Sequence, residues 1–234
     1  MRMYFSVNKY SACAAAFLTA FMLSGQICPA EEKIDSPKCQ EKTVSSCQQD
    51  NIEYTDAYPA DTAELEAAAD RGDAEALFTL GVMNYFGYNV PKDMDKALRY
   101  YRLAADKNHA SAQYNLGTMY LTGEGVRSDA SKAAKYFRKA AEGGVVLAQL
   151  NLGLLYLEGK GVRRNPQQAV KWLSKVADTG EPESCFALGR LYLKGDRGVR
   201  KDETKGMDYL RQAAEQGHPE AKELLESLQK QVQQ

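Results

Sequence analysis

Histidine is scarce in this chain of 234 residues: only His109 and His218 occur, alongside one tryptophan and five cysteines. Both histidines fall on expected turns, so an acid–base mechanism that uses histidine has few candidates. Neither histidine lies near a pair of cysteines in sequence, which argues against a metal site. The glycines follow helical patterns rather than strands, so they do not form a nucleotide-binding loop. We therefore expect no metal and no cofactor.

The chain also lacks a block of basic residues and a long hydrophobic run. Its 30 Lys and Arg nearly balance its 31 Asp and Glu, and the formal net charge is −1. Nucleic-acid-binding proteins usually concentrate positive charge, so we expect no nucleic acid partner. The apolar run at residues 11–25 is shorter than the ~20 residues that a membrane-spanning helix needs.

Residues 1–30 have the pattern of a secretory signal peptide. Two basic residues precede the apolar run, and Cys28 and Ala30 place small residues before a cleavage site after Ala30. We expect cleavage there and export to the periplasm of a bacterium or to the outside of the cell, with no membrane span left after cleavage. Two alternatives stay open: a retained membrane anchor, and a lipoprotein lipidated at Cys28. Ile27 argues against the lipoprotein, since the residue before a lipidated cysteine should be small.

Residues 31–60 form a polar linker in this interpretation. Acidic residues outnumber basic ones seven to three there, and apolar residues are sparse, so the segment buries too little surface to fold alone. Cys39 and Cys47 lie eight residues apart within it. In an oxidising compartment they would form a small disulfide loop; the alternative is a pair of free thiols. Cys185 is expected to be a small, partly buried helix residue.

From residue 60 onward the chain is periodic. The pair Leu-Gly recurs every 36 residues, and a turn rich in glycine ends each time in valine, at Val90, Val126, Val162 and, after one inserted residue, Val199. Such periods indicate an array of repeats. The predicted units are a leading partial-repeat helix at 61–73, four repeats at 74–109, 110–145, 146–181 and 182–218, and a C-terminal capping helix at 219–234.

Each repeat is predicted to contain two helices, A and B, joined by the glycine turn. In the second repeat, Gly123 is expected to end helix A, and Gly125 to adopt a positive φ that costs glycine nothing. Asn89, which replaces this second glycine in the first repeat, is the residue that best tolerates the same conformation after glycine. Residues suited to N-capping begin each helix B: Asp93, Asp129, Asn165 and Asp202.

Two motifs carry a resemblance to a known family. They are A-x-A-Q-Y-N-L-G-x-M-Y-x-x-G-x-G-V at 110–126 and D-x-x-K-A-x-x-Y-F-x-K-A-A-x-x-G at 129–144. The pattern, over residues 61–230, resembles the Sel-one-like repeat family, a relative of the tetratricopeptide repeat. The resemblance implies an all-α fold, a right-handed α-solenoid of stacked antiparallel helix pairs, used as a scaffold for protein partners. Asn84, where other repeats have tyrosine, and Gly206, where they have alanine, predict looser packing.

In tetratricopeptide arrays, recurring positions of helix A line a concave groove, and the resemblance implies the same here. We expect a protein or peptide to bind this groove, with its apolar part at the first repeat and an acidic group at the last; the oligomeric state is not predicted. Some of these positions are alternatively expected to fill the stack. The predicted partner-binding residues are Phe78, Val82, Tyr85, Phe86, Tyr114, Thr118, Thr122, Leu154, Glu158, Phe186, Arg190 and Lys194.

No catalytic residues are predicted, and we do not expect an enzyme. Asp-Thr-Gly at 178–180 matches an aspartic protease motif but falls on an inter-repeat turn. Ser-x-x-Lys occurs at 6–9 and 227–230 without an accompanying Lys-Thr-Gly or Ser-Asp-Asn. Because some secreted cysteine-rich relatives have been called β-lactamase-like, the alternative is a secreted hydrolase acting on β-lactam or cell-wall substrates.

Overall fold

The computed structural model describes residues 62–232, which fold into ten α-helices and contain no strand. The expected signal peptide, the linker, and the Cys39–Cys47 pair lie outside the described residues. The helices are α1 (Ala63–Asp70), α2 (Ala74–Phe86), α3 (Met94–Asp106), α4 (Ala110–Thr122), α5 (Ala130–Glu142), α6 (Val146–Glu158), α7 (Pro166–Ala177), α8 (Pro182–Lys194), α9 (Glu203–Glu215) and α10 (Pro219–Val232).

Each helix packs mainly against the helices before and after it in the chain. The pairs α2–α3, α4–α5, α6–α7 and α8–α9 are helix A and helix B of successive repeats, and α1 and α10 cover the two ends. An amphipathic helix pair cannot bury its apolar face alone, so stacking supplies the missing contacts. The fold class predicted from the sequence, an all-α solenoid of stacked helix pairs, is confirmed.

The Leu-Gly pair sets the contact between the two helices of a repeat. The leucine is buried, and the glycine lets a large side chain of helix B lie against the backbone of helix A. A Cβ atom placed on Gly117 would lie 2.7 Å from the ring of Phe137, and one on Gly153 would lie 2.6 Å from Leu173. No real Cβ fits at such distances, so this glycine fixes how closely the helices approach.

The turns between helices A and B follow the predicted capping chemistry. Gly123 ends α4 with φ 82° and ψ 19°, and Asn89 adopts the predicted positive φ, at 55°. The Asp129 carboxylate accepts hydrogen bonds from the backbone N–H groups of Ser131 and Lys132, both at 3.0 Å. Local side-chain chemistry therefore fixes where each helix B begins.

The fourth turn absorbs its inserted residue without moving the next helix. The backbone groups of Asp196 and Val199 exchange two hydrogen bonds, 2.9 and 2.8 Å long, around Arg197 and Gly198. The backbone N–H of Asp202 still donates to the carbonyl of Tyr192, as equivalent N-cap residues do in the other three turns. The extra residue therefore forms a small loop, and α9 begins at its expected place.

The structure corrects the expectation of looser packing at Gly206 and shows how Asn84 is accommodated. Asn84 is buried, and its side-chain amide donates to the carbonyl of Leu80 at 2.8 Å. A Cβ atom on Gly206 would lie 2.8 Å from the side chain of Leu193. The polar side chain of Asn84 is thus satisfied by its own helix, and the space left at Gly206 is filled by closer helix contact.

Candidate functional site

One row of side chains remains open to solvent in all four repeats. It is formed by the last residue of each helix A, and all four members are exposed: Phe86, Thr122, Glu158 and Lys194. Their backbone positions are equivalent, yet they are an aromatic ring, a hydroxyl, a carboxylate and an ammonium group. We call this row the helix A end row.

The row one turn earlier in helix A changes its exposure along the array. Val82 is buried in the first repeat, Thr118 and Leu154 are half-buried, and Arg190 is exposed in the last. The hydroxyls of Thr118 and Thr122 donate to the carbonyls of Tyr114 and Thr118 on their own helix, at 3.2 and 3.0 Å. Because these hydroxyl protons are donated within the helix, the two oxygens can only accept hydrogen bonds from a ligand.

Phe78 and Val82 are core residues, which corrects their predicted place in the binding groove. They are only 4% and 8% exposed, within the cluster formed by α2, α3 and α4. The ring of His109 also stacks on Phe78, with centroids 4.5 Å apart. A partner cannot contact these two side chains while the first repeat is folded.

The first repeat presents an aromatic cluster at the end of α2. Tyr85 meets Phe86 edge-on at 4.8 Å between centroids, and Phe86 stacks with Tyr88 at 5.2 Å. Phe86 is nevertheless 41% exposed, which is unusual for a phenylalanine that has two aromatic neighbours. The cluster therefore offers an accessible apolar surface.

Tyr85 also links the first repeat to the second. Its phenol donates to the carboxylate of Glu124 at 2.6 Å. Burial raises the pKa of Tyr85 well above its usual value, and the bonded Glu124 carboxylate raises it further. The phenol stays protonated, so Tyr85 positions the turn of the second repeat and supports Phe86.

The last repeat presents cations instead. The guanidinium of Arg190 lies 5.5 Å from the ring centroid of Phe186, and His218 stacks on the same ring at 4.3 Å. Arg190 and Lys194 are both exposed, one helical turn apart on α8. A guanidinium placed against an aromatic ring is held in position at a modest cost in entropy. This end of the array is suited to a carboxylate.

Both histidines cap helices, a role that the sequence analysis did not identify. Nδ1 of His109 accepts from the backbone N–H of Ala112 at 3.2 Å, and its Nε2 lies 2.9 Å from a Glu75 carboxylate oxygen. His218 repeats the arrangement with Ala221 and Glu183. The sequence held one indication of this role: both histidines directly precede a helix, at the repeat position where Asp73 caps α2.

The described residues offer no arrangement for metal binding or thiol chemistry. Between residues 62 and 232 no group of three or more His, Cys, Asp or Glu side chains could hold an ion. Cys185 lies fully buried on α8, and this burial raises the pKa of its thiol. No helix within the same range is long and apolar enough to cross a membrane. What the array presents is a surface whose chemistry changes from one repeat to the next.

Comparison with known proteins identifies the class and then the family. The structure is that of a helical-repeat scaffold, and the model of the Sel1 repeat matches residues 74–109, 110–145, 146–180 and 182–218. The chain belongs to the Sel1 repeat family. Sel1 repeats generally form non-catalytic scaffolds that bind proteins.

Solved structures similar to this chain include those of two bacterial proteins. The protective antigen c5321 of uropathogenic Escherichia coli, which displays an SLR fold, is 36% identical with a TM-score of 0.62; the match covers 67% of this chain and 33% of that one. The Sel1 repeat protein of Oxalobacter formigenes is 31% identical with a TM-score of 0.65, covering 74% and 69%. The chain thus spans a third of the length of c5321. A comparison with curated protein sequences gives no match.

Proposed function

We propose that this protein is an exported, non-catalytic scaffold that binds a protein or peptide along helix A of its repeats. The observation that carries the proposal is the helix A end row. Its four side chains are exposed at equivalent positions and differ in chemistry, whereas the Leu-Gly framework beneath them does not change. Varied side chains in an exposed row of a constant framework are what a specific binding surface requires.

The two ends of the row suggest how a ligand would lie. At the first repeat, Phe86 and its aromatic neighbours suit an apolar anchor of the ligand. At the last repeat, Arg190 and Lys194 suit an acidic side chain or a C-terminal carboxylate. Between them, Thr122 and Leu154 offer weaker contacts. An extended peptide or the helix of a partner protein fits such a surface.

Export rests on the signal-like residues 1–30 and remains part of the proposal. The similarity to c5321, which is described as a protective antigen, supports a location that antibodies reach. The mature chain is expected to begin near Glu31 and to carry a Cys39–Cys47 disulfide. Intact-mass measurement on protein from the cell envelope tests both, because cleavage removes residues 1–30 and a disulfide lowers the mass by two hydrogens.

The hydrolase alternative gains no support. Of its two Ser-x-x-Lys matches, one lies outside the described residues, and the other lies on the terminal helix α10, where both Ser227 and Lys230 are exposed. A serine nucleophile needs a neighbouring base and an enclosed site. A β-lactam turnover assay on the purified protein tests the hydrolase alternative directly, and our proposal predicts no turnover.

Binding along helix A is tested by truncating one exposed side chain in the first repeat and one in the last. Phe86→Ala and Arg190→Ala should each weaken capture of the native envelope partner by about tenfold or more, since such anchors commonly contribute ~2 kcal/mol. Both side chains are exposed, so the thermal melts should stay close to that of the unmodified protein. Val82→Ala is the control: it removes buried surface, so it should lower the melt.

Binding is measured by affinity purification of the protein from its native envelope, followed by quantitative mass spectrometry. A partner that is retained at full strength by both Phe86→Ala and Arg190→Ala would show that the helix A end row, with Arg190 one turn before its last member, is not the binding site.

A further inference from the structure

The turns between helices A and B are far more basic in the last two repeats than in the first two. Residues 158–165 and 194–202, which we call the basic turn edge, hold seven Lys and Arg against three Asp and Glu. The equivalent residues 86–93 and 122–129 hold two basic against three acidic residues. All four turns place the next helix through the same N-cap hydrogen bond, so the joining of helix A to helix B does not itself require this difference in charge.

The two basic turns are in direct contact. The guanidinium of Arg164 forms a two-point ion pair with the carboxylate of Asp196. The side-chain amide of Gln167, at the start of α7, donates to the carbonyl of Gly198 at 3.2 Å. Their cations therefore belong to one surface, although in the sequence they form no continuous block.

Most of the negative charge on this surface is already engaged. Asp196 binds Arg164 and also accepts from the backbone N–H of Arg197, and Asp202 caps α9 by accepting from the N–H of Lys205 at 3.0 Å. Arg163, Arg197 and Arg200 are exposed, and within residues 62–232 none of them forms an ion pair. Their positive charge faces the solvent.

An open cleft of about 420 Å³ lies beside these cations. Val170 and Val199 supply apolar walls, Tyr192 an aromatic one, and Arg200 the adjacent positive charge. Lys201 and Asp202 also line the cleft, but Lys201 is paired with Glu203 and Asp202 caps α9. A ligand that fills this cleft therefore combines an apolar or aromatic group with neighbouring negative charge.

We propose that the basic turn edge binds an acidic segment of a partner polypeptide, with carboxylates on Arg163, Arg197 and Arg200 and an apolar side chain in the cleft. Arginine pairs with carboxylates through two parallel hydrogen bonds, and clustered charge of one sign accelerates association with an oppositely charged partner. The basic turn edge shares Glu158 and Lys194 with the helix A end row, but its three arginines lie outside that row, so their role is tested independently of the groove.

The aromatic side chain in the cleft argues for a polypeptide rather than a single-stranded nucleic acid. Non-specific nucleic acid sites need ring faces on which bases stack. The ring of Tyr192 already stacks with Tyr209, with centroids 5.9 Å apart, and the ammonium of Lys205 lies 4.7 Å from its centroid. The Tyr192 ring thus already has one aromatic and one cationic partner, with which a stacking base would compete.

The test measures binding of a fluorescein-labelled peptide of six glutamates followed by tyrosine and leucine. The full chain, as recovered from the producing cell, is titrated by fluorescence anisotropy at physiological salt. Arg163→Glu combined with Arg200→Glu should weaken binding at least tenfold. Arg127→Glu is the matched control: it occupies the same turn position in the second repeat, and it should change affinity less than twofold.

Any of three results with the peptide would overturn the proposal: no binding by the unmodified protein, an equal loss with Arg127→Glu, or an equal loss with Arg190→Ala, which would place the peptide in the groove. A single-stranded DNA of twenty nucleotides that binds more tightly than the peptide would also overturn it. Circular dichroism checks the fold of each variant. Should the double glutamate variant not fold, Arg163→Gln with Arg200→Gln decides the same question, with a loss of at least about threefold expected.

Discussion

At the scale of single residues, the glycine turns differ in how much space surrounds them. Gly161 and Gly144 both adopt a positive φ, 70° and 88°. A Cβ atom on Gly161 would lie 2.1 Å from the carbonyl oxygen of Ala130, in the preceding repeat, whereas one on Gly144 would meet nothing within 4 Å. Gly161 therefore serves the contact between repeats, and Gly144 only the backbone conformation of its turn.

Alanine substitution separates these two roles. Gly144→Ala should cost about 1 kcal/mol of unfolding free energy, because it places a side chain at positive φ. Gly161→Ala adds a backbone clash and should cost about 3 kcal/mol or more. Urea unfolding followed by circular dichroism measures both. Equal losses would mean that the turn of the third repeat does not press on α5.

Single residues also differ in how well their conformation or role could be predicted from the sequence. The conformations of Gly125 and Asn89 were predictable, because a positive φ is tolerated by few residue types. The capping by His109 was not, since histidine is not among the preferred N-cap residues. The filling of space beside Gly206 was also missed, because it depends on how closely α8 and α9 approach, which no single position in the sequence records.

At the scale of elements, helix boundaries were predictable and exposure was not. Caps and C-terminal glycines act locally, so the start of α5 directly after Asp129 and the end of α4 directly before Gly123 follow from a few neighbouring residues. Val82 and Arg190 occupy the same position in their repeats, yet one is buried and the other exposed. Exposure depends on neighbouring helices as well as position, and this is why two of the predicted groove residues proved to be core.

The ion pair between Arg164 and Asp196 joins two elements and gives a prediction about pH. The Arg164 guanidinium, helped by the Arg197 N–H, holds the pKa of Asp196 below its usual 3.8. A lowered pKa in the folded state means that the pair stabilises the fold above about pH 4, and that this contribution is lost as the pH falls through the folded value.

Asp196→Asn should therefore lower the melting temperature at pH 6, and the gap from the unmodified protein should close as the pH is lowered towards 2. Arg164→Gln should show the same pattern, since it removes the other partner. Differential scanning fluorimetry across this range makes the measurement. A gap that stays constant down to acid pH would show that Asp196 acts through its shape rather than its charge.

At the scale of the whole molecule, each repeat depends only on its neighbours. Leu210 in the last repeat and Leu173 in the third occupy equivalent positions, and both are fully buried. Truncation of either removes similar surface, but α9 has only the capping helix α10 on one side, whereas α7 lies between complete repeats. A solenoid should therefore respond differently at its end and in its interior.

Leu210→Ala should cost about 3 kcal/mol and should lower hydrogen-exchange protection mainly in α8, α9 and α10, leaving α2 to α5 protected. Leu173→Ala should cost a similar amount and spread its effect to the repeats on both sides. Hydrogen exchange read out by mass spectrometry resolves the helices. A uniform loss of protection with Leu210→Ala would show that the array unfolds as one unit.

The small loop closed by Asp196 and Val199 shows how an insertion in one turn affects the position of the repeats that follow. The residue inserted there does not displace α9, because the N-cap residue binds the carbonyl of Tyr192 on the preceding helix, as its counterparts do in every turn. Each helix B is thus placed by the helix before it and not by the number of residues in between. A change of length in one turn stays within that turn, and the phase of every later repeat is preserved.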